Sequence, residues 1–367
     1  MTDSDRIHRL ARAIERFLTP GDVLRERLCA ETPHMAPETM ALGLDVSLEG
    51  WDEAGIASLW SEEQAYMEGG LPPDLVAVIL GGSLPPSHVQ AMAYPYLLGA
   101  ELIVKHPADD ALFPMLFAQA LGERVTLVGR LGLGGVLGRA DAVIAVGDDE
   151  TVRTLQAEVA VATPFLGFGH RSAVELVCGS AVARSEEVAV EIARDLTLFD
   201  QRGCLSPREI LVVGDKADAA TLAGHIAAAC IDLPRRRPLD VAIEGALRQE
   251  REASLALGRL TLGPNDLQWG VRVEEGGTWT GTPGGRHVVI RTIDRLSSVP
   301  EVLAPLAGHL SAVGVAGDDP DPPTRAALMR LGASRIVPVG RLQSAPPTWP
   351  HDGRRPLAAL CRWCGSD

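Results

Sequence analysis

From Asp3 onward, Ile7, Leu10, Ala11, Ile14 and Phe17 recur at three- and four-residue spacing, the apolar stripe of an amphipathic helix. Helical patterns separated by loops continue to about Leu71, and Pro72-Pro73-Asp74 then breaks them. Leu75-Val76-Ala77-Val78-Ile79-Leu80 follows, a continuous apolar run of the kind a parallel strand shows when both of its faces are covered. It ends in Gly81-Gly82-Ser83-Leu84-Pro85-Pro86, after which a helix is expected with Ser87 as its cap, and then a second strand, Glu101–Lys105. Arg124–Val128 and Ala142–Val146 read as further strands. Strand, glycine-rich turn, helix and strand in repetition predict an α/β fold with a doubly wound parallel sheet.

A second α/β region is expected from near Ala173. Its pieces are a helix around Glu186–Leu198, a strand at Ile210–Val213, a helical tract over roughly Asp240–Leu257, strands at His287–Ile290, Ser311–Val315 and Arg335–Val339, and a helix at Thr324–Leu331. The pairs Gly276-Gly277 and Gly284-Gly285 predict hairpin turns. Pro346-Pro347 and Pro350 mark a loop ahead of His351-Asp352-Gly353 and a last apolar segment. The pattern contains no internal repeat and no long linker.

Composition narrows the class. A 46% share of hydrophobic residues excludes a disordered chain, and 367 residues suffice for two or three domains with real cores. The net charge of −14 argues against nucleic acid or an anionic membrane as the main partner. An anionic cofactor would have to be held by local donors. Six scattered cysteines in a chain of this length suggest reduced thiols in a cytoplasmic protein. No apolar run approaches the ~18–20 residues of a membrane span, and the acidic start is not a secretory signal.

The residues with chemical potential are few. Phe199-Asp200-Gln201-Arg202-Gly203-Cys204-Leu205-Ser206-Pro207 puts a thiol beside a glycine, after a helical pattern and before a strand. Cys204 is either a small buried hydrophobe or a nucleophile on a turn, with Arg202 and Arg208 close enough in sequence to favour a thiolate. Gly132-Leu133-Gly134-Gly135-Val136-Leu137-Gly138 fails the dinucleotide fingerprint, since Leu137 stands where the third glycine belongs. Gly147-Asp148-Asp149 is a strand-to-helix turn whose acids suit a helix start and would repel a phosphate set against them. Lys105 ends a strand, as a snorkelling lysine or as a cation where α/β sheets bind ligands. His351 sits in a polar turn or offers an imidazole. Cys361 and Cys364 form a lone C-x-x-C without the partners a zinc site needs.

Taken together these segments resemble the long-chain acyl-CoA reductase family (LuxC type) of the aldehyde dehydrogenase superfamily. The resemblance runs from about Leu75 to Cys364. It rests on the order and spacing of Asp200–Pro207, of Leu102–Lys105 with Gly82-Ser83-Leu84-Pro85, and of His351-Asp352-Gly353 with Pro356-Leu357 and Arg362-Trp363. It implies an aldehyde dehydrogenase-like fold of two Rossmann-like α/β domains with parallel sheets. Residues 1–172 would bind the nicotinamide cofactor, 173–340 would carry the catalytic cysteine, and 341–367 would pack back near an active site between the two domains.

The implied reaction reduces an acyl-CoA to an aldehyde with NADPH or NADH through a thioester on Cys204; the alternatives are an acyl-carrier-protein or acyl-phosphate donor, or a catalytically silent scaffold with the same fold. Ser83 stands where the superfamily usually has the asparagine of the oxyanion hole, and His351 is a candidate general acid or base. Lys105 matches the lysine at the adenosine ribose, Gly147 the pyrophosphate turn, and Phe168-Gly169-His170-Arg171 the Glu-Leu-Gly-Gly-Lys region, here without its glutamate. Gly82 and Gly169 complete the expected cofactor contacts. By the same analogy the chain would form a homo-oligomer and draw substrate from an acyl-activating ligase.

Overall fold

The apolar runs pair side by side as strands, because a run buried on both faces is stable only inside a sheet covered on both sides. The structure, a computed structural model, describes residues 1–108, 110–129 and 135–364. Gly132, Leu133 and Gly134 of the glycine-rich stretch thus lie outside the described residues. The chain forms two compact units, Met1–Thr32 with Leu44–His170 and Ala345–Asp367, and Pro33–Gly43 with Arg171–Ser344.

The first unit opens with helices. α1 (Asp3–Leu18) begins at a Thr2/Asp5 capping box and buries the stripe Ile7, Leu10, Ala11, Ile14 and Phe17. α2 (Val23–Glu31), α3 (Pro37–Ser47) and α4 (Glu53–Met67) follow, α3 starting in the second unit and ending in the first. Then come β1 (Leu75–Ile79), α5 (Pro85–Leu97), β2 (Glu101–Lys105), α6 (Leu112–Leu121), β3 (Val125–Val128), β4 (Ala142–Val146), α7 (Asp149–Glu158) and β5 (Phe165–Phe168). The strands form a parallel sheet in the order β3-β2-β1-β4-β5. Helix α5 does not start at Ser87. Pro85 and Pro86 take its first two positions, where a missing N–H costs nothing, and the Ser87 hydroxyl donates back to Leu84 O at 2.9 Å.

The second unit contains β6 (Ser172–Val177), α8 (Ser180–Ala183), α9 (Ser185–Thr197), β7 (Pro207–Val213), α10 (Lys216–Ile231), α11 (Val241–Ala256), β8 (Thr261–Leu262), β9 (Gly270–Glu275), β10 (His287–Ile293), α12 (Val299–Val302), β11 (Leu310–Ala316), α13 (Pro322–Leu331) and β12 (Arg335–Pro338). The sheet order is β12-β11-β6-β7-β10-β9-β8, parallel except for the β8–β9 pair. Successive residues of each strand face opposite sides. Val177, Ile210, Val212, Val288 and Ile290 pack with Ile192, Leu196, Leu222 and Ile226 of α9 and α10. Val174, Leu176, Leu211, Val313 and Val315 pack with Leu303 and Leu328 on the other face. Each such side chain contributes about 1.5–3 kcal/mol by leaving water.

The expected hairpins at Gly276 and Gly284 are not there. β9 and β10 run parallel, His287 opposite Gly270 and Thr292 opposite Glu275, so residues 276–286 must travel back along the sheet. A buried charge network holds that connection. Glu209 has no exposed surface and accepts from Arg291 Nε and from the amides of Thr280 and Gly281 at 3.1 and 3.2 Å. Arg291 also reaches Glu274 at 3.1 Å and Thr280 Oγ1 at 3.2 Å. The glycines supply positive φ (Gly276 59°, Gly277 81°, Gly284 104°, Gly285 66°), which marks turns but does not say which way the next strand runs.

Candidate active site

Cys204 lies in the second unit, on the turn between a 3-10 segment (Leu198–Gln201) and the amino end of β7. Its side chain is half-buried. The chain arrives there through three consecutive non-glycine residues in the left-handed region, Phe199 (φ 51°), Asp200 (φ 53°) and Gln201 (φ 62°). Each costs roughly 1–2 kcal/mol against the right-handed form, so the surroundings must hold them. The Phe199 ring is buried against Gly43, where a Cβ would come within 2.5 Å of it. Asp200 pairs with Arg286 at 2.6 Å, both buried. Gln201 accepts from His287 N at 2.9 Å and donates to His287 O at 2.8 Å and Pro207 O at 2.6 Å. A turn closed by Ser206 N donating to Gly203 O at 3.1 Å then presents Cys204.

The two arginines singled out near the thiol have other contacts. Arg202 is exposed and donates to His34 O at 3.4 Å, and Arg208 donates to Thr282 O at 3.3 Å beside Gly284. Burial, Arg202 and Arg237 together push the His34 imidazole down to about 4, so it is neutral at pH 7. Nothing in the sequence pattern marked His34, Thr39 or Gly43 as neighbours of this turn. They come from the short segment Pro33–Gly43 that belongs to the second unit.

The other candidates gather in the first unit, at the carboxyl end of its sheet. The strand order reverses at β1, between β2 and β4, which is where open parallel sheets leave a ligand crevice. Gly81 follows β1 so closely against β4 that a Cβ would lie 2.4 Å from Val146 O and 3.0 Å from Gly147 Cα. Gly82 is exposed at φ 68° and Ser83 is half-buried. Lys105 ends β2, its carbonyl accepting from Leu80 N at 2.9 Å. His88, wholly buried on α5 and pushed down to about 4 by that burial, donates from Nε2 to Gly81 O at 3.4 Å and steadies the turn as a neutral imidazole.

Gly147 donates its N–H to Phe168 O at 3.1 Å, so it offers a ligand clearance rather than a hydrogen bond. Asp148 caps α7 by accepting from Thr151 N at 2.7 Å, and Asp149 accepts from His170 N at 2.8 Å next to Gly169. The start of α7 is therefore already served by carboxylates. His351 is stacked between Phe168 (ring centroids 4.2 Å apart) and Trp349 (4.4 Å). Arg354 donates to Gly167 O at 3.4 Å and fastens the same segment to β5. Gly82, Ser83, Lys105, Gly147, Gly169 and His351 thus belong to one end of one sheet, and Cys204 belongs to the other unit.

Two α/β units, one with glycine turns at the reversal point of its parallel sheet and one with a thiol on a strained turn, define a class. Solved structures give the same fold. The chain matches an oxidoreductase from Marinobacter aquaeolei with a TM-score of 0.71 at 13% identity, covering 93% of this chain and 79% of that one. It matches a NAD-dependent benzaldehyde dehydrogenase from Corynebacterium glutamicum with a TM-score of 0.65 at 13% identity, covering 94% and 83%. The fold is that of the aldehyde dehydrogenases.

Within that class, residues 133–363 match the acyl-CoA reductase (LuxC) family, and the chain belongs to it. A curated relative, long-chain acyl-protein thioester reductase 2 of Photobacterium leiognathi, is 25% identical over 231 residues, 62% of this chain and 47% of the relative. The chain thus spans about half the length of that relative. Among the described residues no helix is long and apolar enough to cross a membrane.

Proposed function

We propose that the protein reduces an acyl thioester to an aldehyde through a covalent thioester on Cys204. The observation that carries this reading is the placement of one half-exposed thiol on a strained, fully braced turn inside the family-matched region. Strain persists where the surroundings over-determine it, and it clusters at reactive positions. As a thiolate, Cys204 attacks the acyl carbonyl and the carrier thiol leaves with a proton. The acyl oxygen bears negative charge as this happens, and the Cys204 N–H is the donor we assign to it.

The first unit's crevice fits a nicotinamide dinucleotide. Gly82, at positive φ, has open space where a side chain would stand, so backbone there can meet a ligand closely, and Lys105 supplies an ammonium at the strand end for ribose hydroxyls. A reduced nicotinamide held there would supply the hydride that turns the Cys204 thioester into an aldehyde and returns the thiolate. The Thr151 amide at the start of α7 does not serve its phosphates, because Asp148 already takes it. Neither Gly167 nor Phe168, at the head of the β5 turn, has a carboxylate to activate water, which favours thiol exchange over hydrolysis. His351 is assigned to proton transfer with the leaving thiol.

Donor and cofactor are read from one assay. The protein is incubated with NADPH or NADH and a ladder of acyl-CoA and acyl-carrier-protein thioesters, with cofactor oxidation and trapped aldehyde both followed. Matched oxidation and aldehyde, lost in Cys204→Ala, support the reading. Full activity in that variant overturns it. The carboxylates at α7 favour a second reading, a scaffold that kept the fold without hydride chemistry. Such a protein would show no saturable NADPH or NADH site.

A further inference from the structure

The turn before Cys204 is fixed by groups the proposed reaction does not use. Arg286 is itself left-handed (φ 65°) and closes a second strained turn after Gly284 and Gly285. Its guanidinium donates to Asp200 Oδ1 twice, from Nε at 2.9 Å and from a terminal nitrogen at 2.6 Å. Asp200 is 2% exposed and Arg286 3%. The same guanidinium reaches Thr39 Oγ1 at 3.1 Å and the carbonyl of Pro234. One buried ion pair therefore joins the turn that leads into the thiol, the turn that leads into β10, and the segment at Thr39. A surface loop needs no such joint, and a pair buried this deeply leaves an uncompensated charge when either partner is lost.

We propose that Asp200 and Arg286 are positioning residues for the Cys204 thiol. Their ion pair locks the turn at 199–201 against the turn at 284–286 and so fixes the direction in which Gly203-Cys204 leaves it. The proposal rests on Cys204 being the nucleophile, yet its test reads the thiol itself and not aldehyde formation.

The full-length protein is alkylated with iodoacetamide over a range of pH, and each cysteine is followed by peptide mass mapping, with exposed Cys364 as the internal reference. In folded Arg286→Lys and Asp200→Asn, Cys204 alkylation falls at least about tenfold relative to Cys364, because the thiol no longer leaves the turn in the direction the ion pair fixes. The midpoint of its pH profile moves as well. Guanidinium ion restores part of the rate in Arg286→Ala. Thr39→Val, which leaves the ion pair intact, keeps the wild-type profile.

An unchanged Cys204 rate and profile in either folded variant overturns the proposal. So does failure of both variants to fold, which assigns the pair to fold stability alone. A shifted alkylation profile in a protein that makes no aldehyde leaves the positioning role standing and removes the reductase reading.

Discussion

Replacing Glu175 with glutamine isolates a buried acid pair in the second unit. Glu175 lies mid-strand on β6 with no exposed surface, and its carboxyl faces that of Asp195 on α9 and finds no other partner among the described residues. Asp195 is equally buried and accepts from Gly340 N at 2.8 Å and Leu342 N at 3.4 Å through Oδ2. Arg194 and half-buried Arg335 are the cations that act on the pair. Burial and the facing Asp195 charge push Glu175 well above the usual carboxyl range, and burial pushes Asp195 up to about 6.

The folded state thus keeps protons that the unfolded chain releases. The stability this provides is complete below the ordinary carboxyl pKa and is lost as pH rises through the folded values. For Asp195 the loss runs from 3.8 to about 6, or ~3 kcal/mol at ~1.4 kcal/mol per unit, and Glu175 carries the loss further up in pH. Glutamine keeps the shape, needs no proton and donates an N–H to Asp195. Urea unfolding of wild type and Glu175→Gln between about pH 5 and about pH 8 should show the variant's stability flattened by about one proton, ~1.4 kcal/mol per pH unit. It should be the more stable protein at the alkaline end. Parallel curves, or a variant less stable at about pH 8, would refute the reasoning.

Two further predictions concern the first unit. Gly81→Ala forces β1 and β4 apart, since its Cβ would meet Val146 O at 2.4 Å, and should cost about 1–3 kcal/mol in thermal unfolding and weaken dinucleotide titrations. Gly147→Ala is the contrast, because its Cβ would meet only the Thr151 side chain at 3.5–3.6 Å, and it should leave stability unchanged. His351→Phe keeps the stack on Phe168 and Trp349 but removes the proposed proton carrier, so kcat should fall by about 10²-fold or more with cofactor affinity retained. An unaltered pH–rate profile in that variant would assign His351 to packing.

Much of the fold was legible because mainly apolar runs such as Leu75–Ile79 and Leu310–Ala316 are the pattern of parallel strands covered on both faces. Turn residues were legible as turns and no further. Gly276 and Gly284 mark positive φ, but the direction of β10 depends on a network centred on Glu209 and Arg291, 82 positions apart, which no local pattern displays. Ser87 looked like a cap because hydroxyls cap helices, yet the two prolines ahead of it set the helix start.

The position of Cys204 between a helix and a strand could be read directly from the chain. What braces it could not, since Asp200 and Arg286 are 86 positions apart and Thr39 and Arg286 are 247 apart. The stack around His351 likewise joins β5 to a segment nearly two hundred residues later in the chain.

The most direct test of the account is the mass of the protein after brief exposure to an acyl thioester without cofactor. The account predicts an adduct equal to one acyl group, mapped to the peptide containing Cys204, absent in Cys204→Ser, and discharged as free aldehyde when NADPH or NADH is added. An adduct on another residue, or aldehyde formed at the wild-type rate by Cys204→Ser, would contradict it.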